Sequence, residues 1–183
     1  MIVVRPTQSL AKRMGTKLNP ELSKSMTVLG DWYAQDVVLN RKQFIFCMSE
    51  RGRLPILISA APYANFPERL SDAVGEMLLV LGVPKETAHK EWLAMQEFVL
   101  GKTDNRSVMG TIKQFLEILK FADPPFNFVR YSAAEISLDL ACNMGTLTLE
   151  EFHPSEAVLK LFDLPLPSKK ASKPALYLVK PIQ

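Results

Sequence analysis

The sequence predicts an α+β fold, a small, mostly antiparallel sheet from the N-terminal third packed against a helical C-terminal two-thirds. Three observations predict it. Residues 36–60 hold three short runs of strand character separated by turn signals at Asn40-Arg41 and Ser49-Glu50-Arg51-Gly52. Leu70, Ala73, Val74, Met77, Leu78 and Leu81 recur at i, i+3, i+4, i+7, i+8 and i+11, the spacing of one helix face. Helix starts and stops then follow one another to about residue 162.

Taken in order, Ile2-Val3-Val4 is a short buried strand. Pro6-Thr7 opens a helix that Thr7 caps and Gly15 stops, with Leu10, Ala11 and Met14 on one face. Residues 16–29 are irregular, with a turn signal at Asn19-Pro20. The three strands are Asp36–Asn40, Gln43–Met48 and Leu54–Ser59. Phe44-Ile45-Phe46-Cys47-Met48 is apolar at every position, so both of its faces should be covered. Pro55 lacks the N–H a central strand needs, which sends the third strand to an edge.

The helix through Leu70 and Leu81 ends at Gly82, and Pro84 suits the first turn of the next. Ala88, Trp92, Met95 and Val99 form that second stripe, and Gly101 closes it. A third helix starts near Arg106 or Ser107, carries an apolar stripe of Val108, Ile112, Phe115, Leu116 and Leu119, and stops at Asp123-Pro124-Pro125. Ser132-Ala133-Ala134-Glu135 is a capping-box pattern leading into Ile136 and Leu140, and Thr148-Leu149-Glu150-Glu151 is another. A last short helix runs Glu156–Phe162, and Pro165-Leu166-Pro167 ends it. Residues 1–165 thus read as one α+β domain, and 166–183 as a basic linker followed by a strand-like tail, Ala175-Leu176-Tyr177-Leu178-Val179.

Composition narrows the function classes. The chain has 183 residues, 48% apolar and 22% charged, which is globular and leaves no case for disorder. Two cysteines, Cys47 and Cys142, sit in apolar surroundings and make no framework. No run nears the roughly 18 apolar residues of a membrane span, and the opening residues do not form a signal peptide. The expected place is the cytoplasm, with no membrane partner. The net charge of +3 is unevenly spread: +5 over residues 1–60, −6 over 61–167 and +4 over 168–183. Basic strands and acidic helices attract each other within such a fold, and the basic portions also suit phosphates or an acidic partner.

Two polar clusters stand out. Gly101-Lys102-Thr103-Asp104-Asn105-Arg106-Ser107-Val108-Met109-Gly110 leads into a helix. Asp104 or Asn105 can cap it, leaving free N–H groups, a positive helix end, and the charges of Lys102 and Arg106 as an anion site with Asn105 and Ser107. Gly101-Lys102-Thr103 also has the ending of a phosphate-binding loop. That motif needs a glycine where Gln96 stands, and a preceding strand where a helix is expected. The second cluster is Leu29-Gly30-Asp31-Trp32-Tyr33, a turn leading into two aromatics with polar handles. Asp31 is the expected internal partner of Arg106, with Asp31, Trp32 and Tyr33 as pocket walls. The two clusters should meet where the sheet adjoins the third helix. The two histidines, His89 and His153, do not form a metal-ligand pattern with any Cys, Asp or Glu, and no cofactor is implied.

Leu29-Gly30-Asp31-Trp32-Tyr33-Ala34-Gln35 and Lys102 through Phe115 resemble the two signature stretches of an uncharacterised bacterial family, domain of unknown function 6933. Residues 2–12 are similar to that family's start, and the likeness covers about residues 1–150. The resemblance implies a bacterial cytoplasmic protein and carries no activity, cofactor or catalytic residue. Three functions stay open. One is a binding protein that recognises an anionic group, on nucleic acid or a protein partner, through Lys102, Asn105, Arg106 and Ser107. Another is an enzyme with a pocket between Gly30–Tyr33 and Lys102–Ser107. In the third both clusters are structural, and the tail carries self-association.

Overall fold

Two consecutive left-handed residues make the first tight hairpin. Asn40 (φ 46°) and Arg41 (φ 64°) provide the turn whose twist matches antiparallel strands. They join β2 (Trp32–Leu39) to β3 (Lys42–Ser49) in a register that runs from Leu39↔Lys42 to Trp32↔Ser49. The strand β4 (Pro55–Ser59) pairs antiparallel with β3 and forms the sheet edge, as Pro55 requires. The computed structural model describes residues 1–19, 24–121, 131–146 and 149–166. The expected turn at Pro20, the Asp123-Pro124-Pro125 stop, the Thr148 capping pattern, and the linker and tail from 167 onward lie outside these residues.

The chain is α+β, with a mixed five-stranded sheet in the order β4-β3-β2-β1-β5. Here β1 is Ile2–Pro6 and β5 is Phe98–Leu100. Both flanking pairs of β1 are parallel, and the other two pairs are antiparallel. The fifth strand corrects the sequence reading. Val99 does not continue the stripe of the second helix, α3 (Lys85–Ala94); the chain leaves the helix at Met95 and enters the sheet beside β1. A strand of only three residues is too short to show an alternating period, and its apolar positions fit either element.

Strand alternation sends side chains to two cores. Ile2, Val4, Trp32, Ala34, Ile45, Cys47, Ile56 and Ile58 face one, together with Leu10 of α1 (Gln8–Met14), Leu70, Val74 and Met77 of α2 (Phe66–Val80) and Ala88 of α3. Tyr33, Val37, Phe44, Phe46 and Leu57 face the other. There Val108, Ile112, Phe115, Leu116 and Leu119 of α4 (Arg106–Phe121) supply the expected stripe, with Phe46 and Phe115 edge to face at 6.3 Å.

Thr7 and Gly15 cap α1 as the sequence requires. The capping box of Ser132 and Glu135 starts α5 (Ala133–Asn143). That helix lies along β4, where Ser137 Oγ accepts the N–H of Leu57 at 2.8 Å and so satisfies part of the open sheet edge. The last helix, α6 (Pro154–Leu161), packs on the β3–β4 turn. Gly52 is required there twice: its φ is 72°, and an added Cβ would come within 3.1 Å of Val158 and Leu161.

Candidate functional site

The carboxyl ends of β1 and β5 meet the turn before β2 and the loop before α4, and the two polar clusters meet there. The residue that joins them is Arg5, which the sequence reading did not single out. The β1–β2 register places Arg5 opposite Tyr33, next to Asp31. Its Nε donates to Asp31 Oδ2 at 2.7 Å, and its Nη1 donates to the Lys102 carbonyl at 2.6 Å and lies 3.1 Å from Asp104 Oδ2. Arg5 and Asp31 are buried, 6% and 1% exposed. Asp31 Oδ1 in turn accepts the Ser25 N–H at 2.8 Å, and Ser25 Oγ accepts the Val3 N–H at 2.7 Å. Burial pulls the Arg5 guanidinium down, but the hydrogen bond and charge of Asp31, with Asp104 behind, outweigh it and hold it above its ordinary range.

The expected pairing of Asp31 with Arg106 is therefore corrected: Asp31 is the partner of Arg5. Both oxygens of Asp31 are in use. Trp32 and Tyr33 are both fully buried, so neither leaves surface to line an open pocket. Adjacent strand residues also point to opposite faces, which puts Trp32 in one core and Tyr33 in the other. Tyr33 Oη donates to Asp104 Oδ1 at 2.5 Å. Burial, reinforced by that hydrogen bond to an anion, pushes the Tyr33 phenol well above its ordinary range, so it stays a donor.

The second cluster folds into the start of α4. Asn105 Oδ1 accepts the N–H groups of Ser107 (3.0 Å) and Val108 (3.3 Å), and the Asn105 carbonyl accepts that of Met109 (3.2 Å). The row of free amides expected from the sequence is thus largely taken by the cap itself. Ser107 Oγ accepts from Arg53 Nη2 at 3.2 Å, and Arg53 Nη1 donates to the Glu50 carbonyl. Arg53 is buried at 8% exposure, and no described carboxylate pairs with it. Burial pulls its guanidinium below the ordinary range, with Glu50 opposing. This second buried arginine, absent from the sequence reading, brings positive charge up behind the first turn of α4.

In front of that turn lies a shallow depression of about 400 Å³ lined by Lys24, Glu50, Asp104, Asn105 and Arg106. Lys24 Nζ sits 3.4 Å from Glu50 Oε1, and Asp104 is held by Arg5 and Tyr33. Lys102 and Arg106 are exposed, and neither has a carboxylate partner among the described residues. The loop before α4 also follows a strand, not the expected helix. That removes one objection to a phosphate-binding loop, but the other stands. Gln96 still occupies the position that needs glycine, and α4 begins at Arg106 rather than beside Lys102 and Thr103.

Among the described residues, no group of three His, Cys, Asp or Glu gathers to hold a metal, and no helix is long and apolar enough to cross a membrane. Residues 3–157 match the family described as domain of unknown function 6933, and the chain belongs to that family. No curated protein and no solved structure matches it.

Proposed function

We propose that this member of the domain of unknown function 6933 family is a binding protein that recognises an anionic group, carried by a nucleic acid or a protein partner, at the start of α4. The observation that carries the reading is Arg106, exposed at the first position of the helix and free of any described carboxylate, with buried Arg53 behind it. A guanidinium suits this task because its planar fork meets two oxygens of a phosphate or carboxylate at once. Lys102 adds a mobile charge, and the helix end adds a favourable field within its first turn. Asn105 and Ser107 take a supporting role: they fix the turn that presents Arg106 and are already engaged inside the protein. A cytoplasmic setting accompanies this reading, supported by Cys47 and Cys142, both free.

The test uses tripolyphosphate first, since it has phosphate chemistry without bases or peptide. A single-stranded oligonucleotide and an acidic peptide then separate the two kinds of partner. Binding should fall steeply as salt rises and should weaken about ten-fold in Arg106→Ala, or ~1.4 kcal/mol. Affinity that ignores salt, or that is unchanged by this substitution, would reject the reading.

A further inference from the structure

Charge is divided unevenly among the helices. α2 and α5, which wall an apolar groove of about 500 Å³ beside β4, carry Glu68, Asp72, Glu76, Glu135 and Asp139 against the one base Arg69. α4 reverses that balance, with Arg106, Lys113 and Lys120 against Glu117. It does so inside a portion of the chain, residues 61–167, whose net charge is −6. The three bases of α4 recur every seven residues. Each such step is two helical turns less about 20°, so the three share one face, about 10.5 Å apart at about 1.5 Å per residue. All three are exposed, and none has a carboxylate partner among the described residues. Lys113 and Lys120 flank Glu117 at the spacings that allow helical ion pairs, and neither pairs with it.

We propose that this face of α4 is the track of a single-stranded nucleic acid, whose backbone runs from Arg106 towards Lys120 and comes closest to the protein at Gly110. The inference rests on the anion reading of Arg106 and extends it from one anionic group to a row of them.

Three observations select such a strand. The first is Gly110. It lies one turn after Arg106 on the same face, it is exposed, and a Cβ added there would meet nothing within 4 Å. Glycine inside a helix is destabilising relative to alanine, and no packing among the described residues calls for it here. A backbone approaching from outside does call for it, because glycine lets that backbone reach the helix main chain. The second is spacing. A stacked strand advances about 3.4 Å per nucleotide, so a step of about 10.5 Å brings each cation to every third phosphate. The third is the chemistry of the face. Every exposed position between Arg106 and Lys120 is polar or glycine. An acidic partner helix needs an apolar seam beside its charges, whereas a phosphate backbone needs only cations. Next to Lys120, Phe121 is 80% exposed. Its ring offers a stacking platform to an unpaired base, which a duplex has already stacked inside itself.

The test titrates a labelled oligothymidylate of about 15 nucleotides against the native chain, Lys113→Ala/Lys120→Ala, Gly110→Gln and Glu117→Gln, with tripolyphosphate as the short anion. Oligonucleotide binding should fall about ten-fold in the double variant. The slope of log K against log salt should become shallower by about 1.4, two contacts at about 0.7 each. Gly110→Gln should raise the unfolding midpoint, since glutamine is the better helix former, and yet weaken oligonucleotide binding about ten-fold. Glu117→Gln, which removes the acid from the stripe, should tighten it. Tripolyphosphate separates this inference from the reading it rests on. Suppose tripolyphosphate binding depends on Arg106, but the oligonucleotide keeps its native salt slope in the double variant, keeps its affinity in Gly110→Gln, or gains none in Glu117→Gln. Any of these sinks the strand and leaves the anion site standing. If neither probe binds, both readings fail. Tighter binding of a blunt duplex or of an acidic peptide than of the oligonucleotide would give the face to that partner and overturn the proposal.

Discussion

The corner around Arg5 and the groove beside β4 are opposites. The corner is rich in charge and closed: Asp31, Tyr33, Asp104 and Asn105 find donors or acceptors within the chain. The groove between α2, α5 and β4 is mostly apolar, with Arg69, Glu76 and Glu135 among the residues that line it, and among the described residues nothing covers it. Polar residues gathered in one place are therefore weak evidence for a ligand when each has a partner. A surface whose demand is unmet says more. Within the corner the same rule separates Asp31, which is satisfied, from Arg106, which is not.

The largest expected effect breaks the closed side. Arg5→Ala leaves Asp31 buried without its cation, and stability in a denaturant titration should fall by about 3–5 kcal/mol. Removing Asp31 in the same chain should recover part of that loss, which a double-mutant cycle reads directly. If Arg5→Ala costs no more than an ordinary surface change, the junction is not holding β1, β2 and the 101–105 loop together.

Next in size is the cap. Asn105→Ala frees two N–H groups at the start of α4 and should cost about 1 kcal/mol. Because that cap also fixes the turn presenting Arg106, it should weaken anion binding as well, by less than Arg106→Ala does. An unchanged unfolding midpoint would show that the amides are satisfied by other means.

A smaller effect depends on pH. Glu91 on α3 is buried, and its two oxygens accept the N–H groups of Val28 and Leu29, which pins the turn leading to Asp31. Burial raises its carboxyl above the ordinary range, while those N–H groups and Arg51 oppose the rise. A native value above the unfolded one means the folded protein holds the proton more tightly. Stability from this group is present below the ordinary glutamate range, about 4.3, and is lost as pH rises through the native value. Glu91→Gln should flatten that slope in unfolding curves across acidic pH. A slope of the same size in both proteins would place the titration elsewhere.

Much of the fold was legible because local rules and tertiary packing agree. The stripe from Val108 to Leu119, the caps at Thr7 and Ser132 and the edge placement of Pro55 all follow from short-range chemistry. β5 was not legible, since Phe98-Val99-Leu100 is three residues long and begins only three residues after a helix. The meeting of the two clusters was legible; their pairing was not. Arg5 stood in view as a cation inside an apolar strand, a rare and costly placement that signals a buried partner. Its partner depended on the parallel register Val4↔Trp32, which no local pattern encodes. The pocket reading of Trp32 and Tyr33 placed them in a turn ahead of a strand starting at Asp36; β2 begins at Trp32, and strand neighbours face opposite ways.

The smallest expected effect on stability accompanies the largest on function. Arg106→Ala should leave the unfolding midpoint within about 0.5 kcal/mol, as for other exposed positions. The decisive measurement is therefore a tripolyphosphate titration of the native chain and Arg106→Ala at 50 and 200 mM salt, the range in which phosphate contacts separate clearly. Salt-sensitive binding that drops about ten-fold in the folded variant is expected. Equal binding by both proteins, or affinity indifferent to salt, would contradict it.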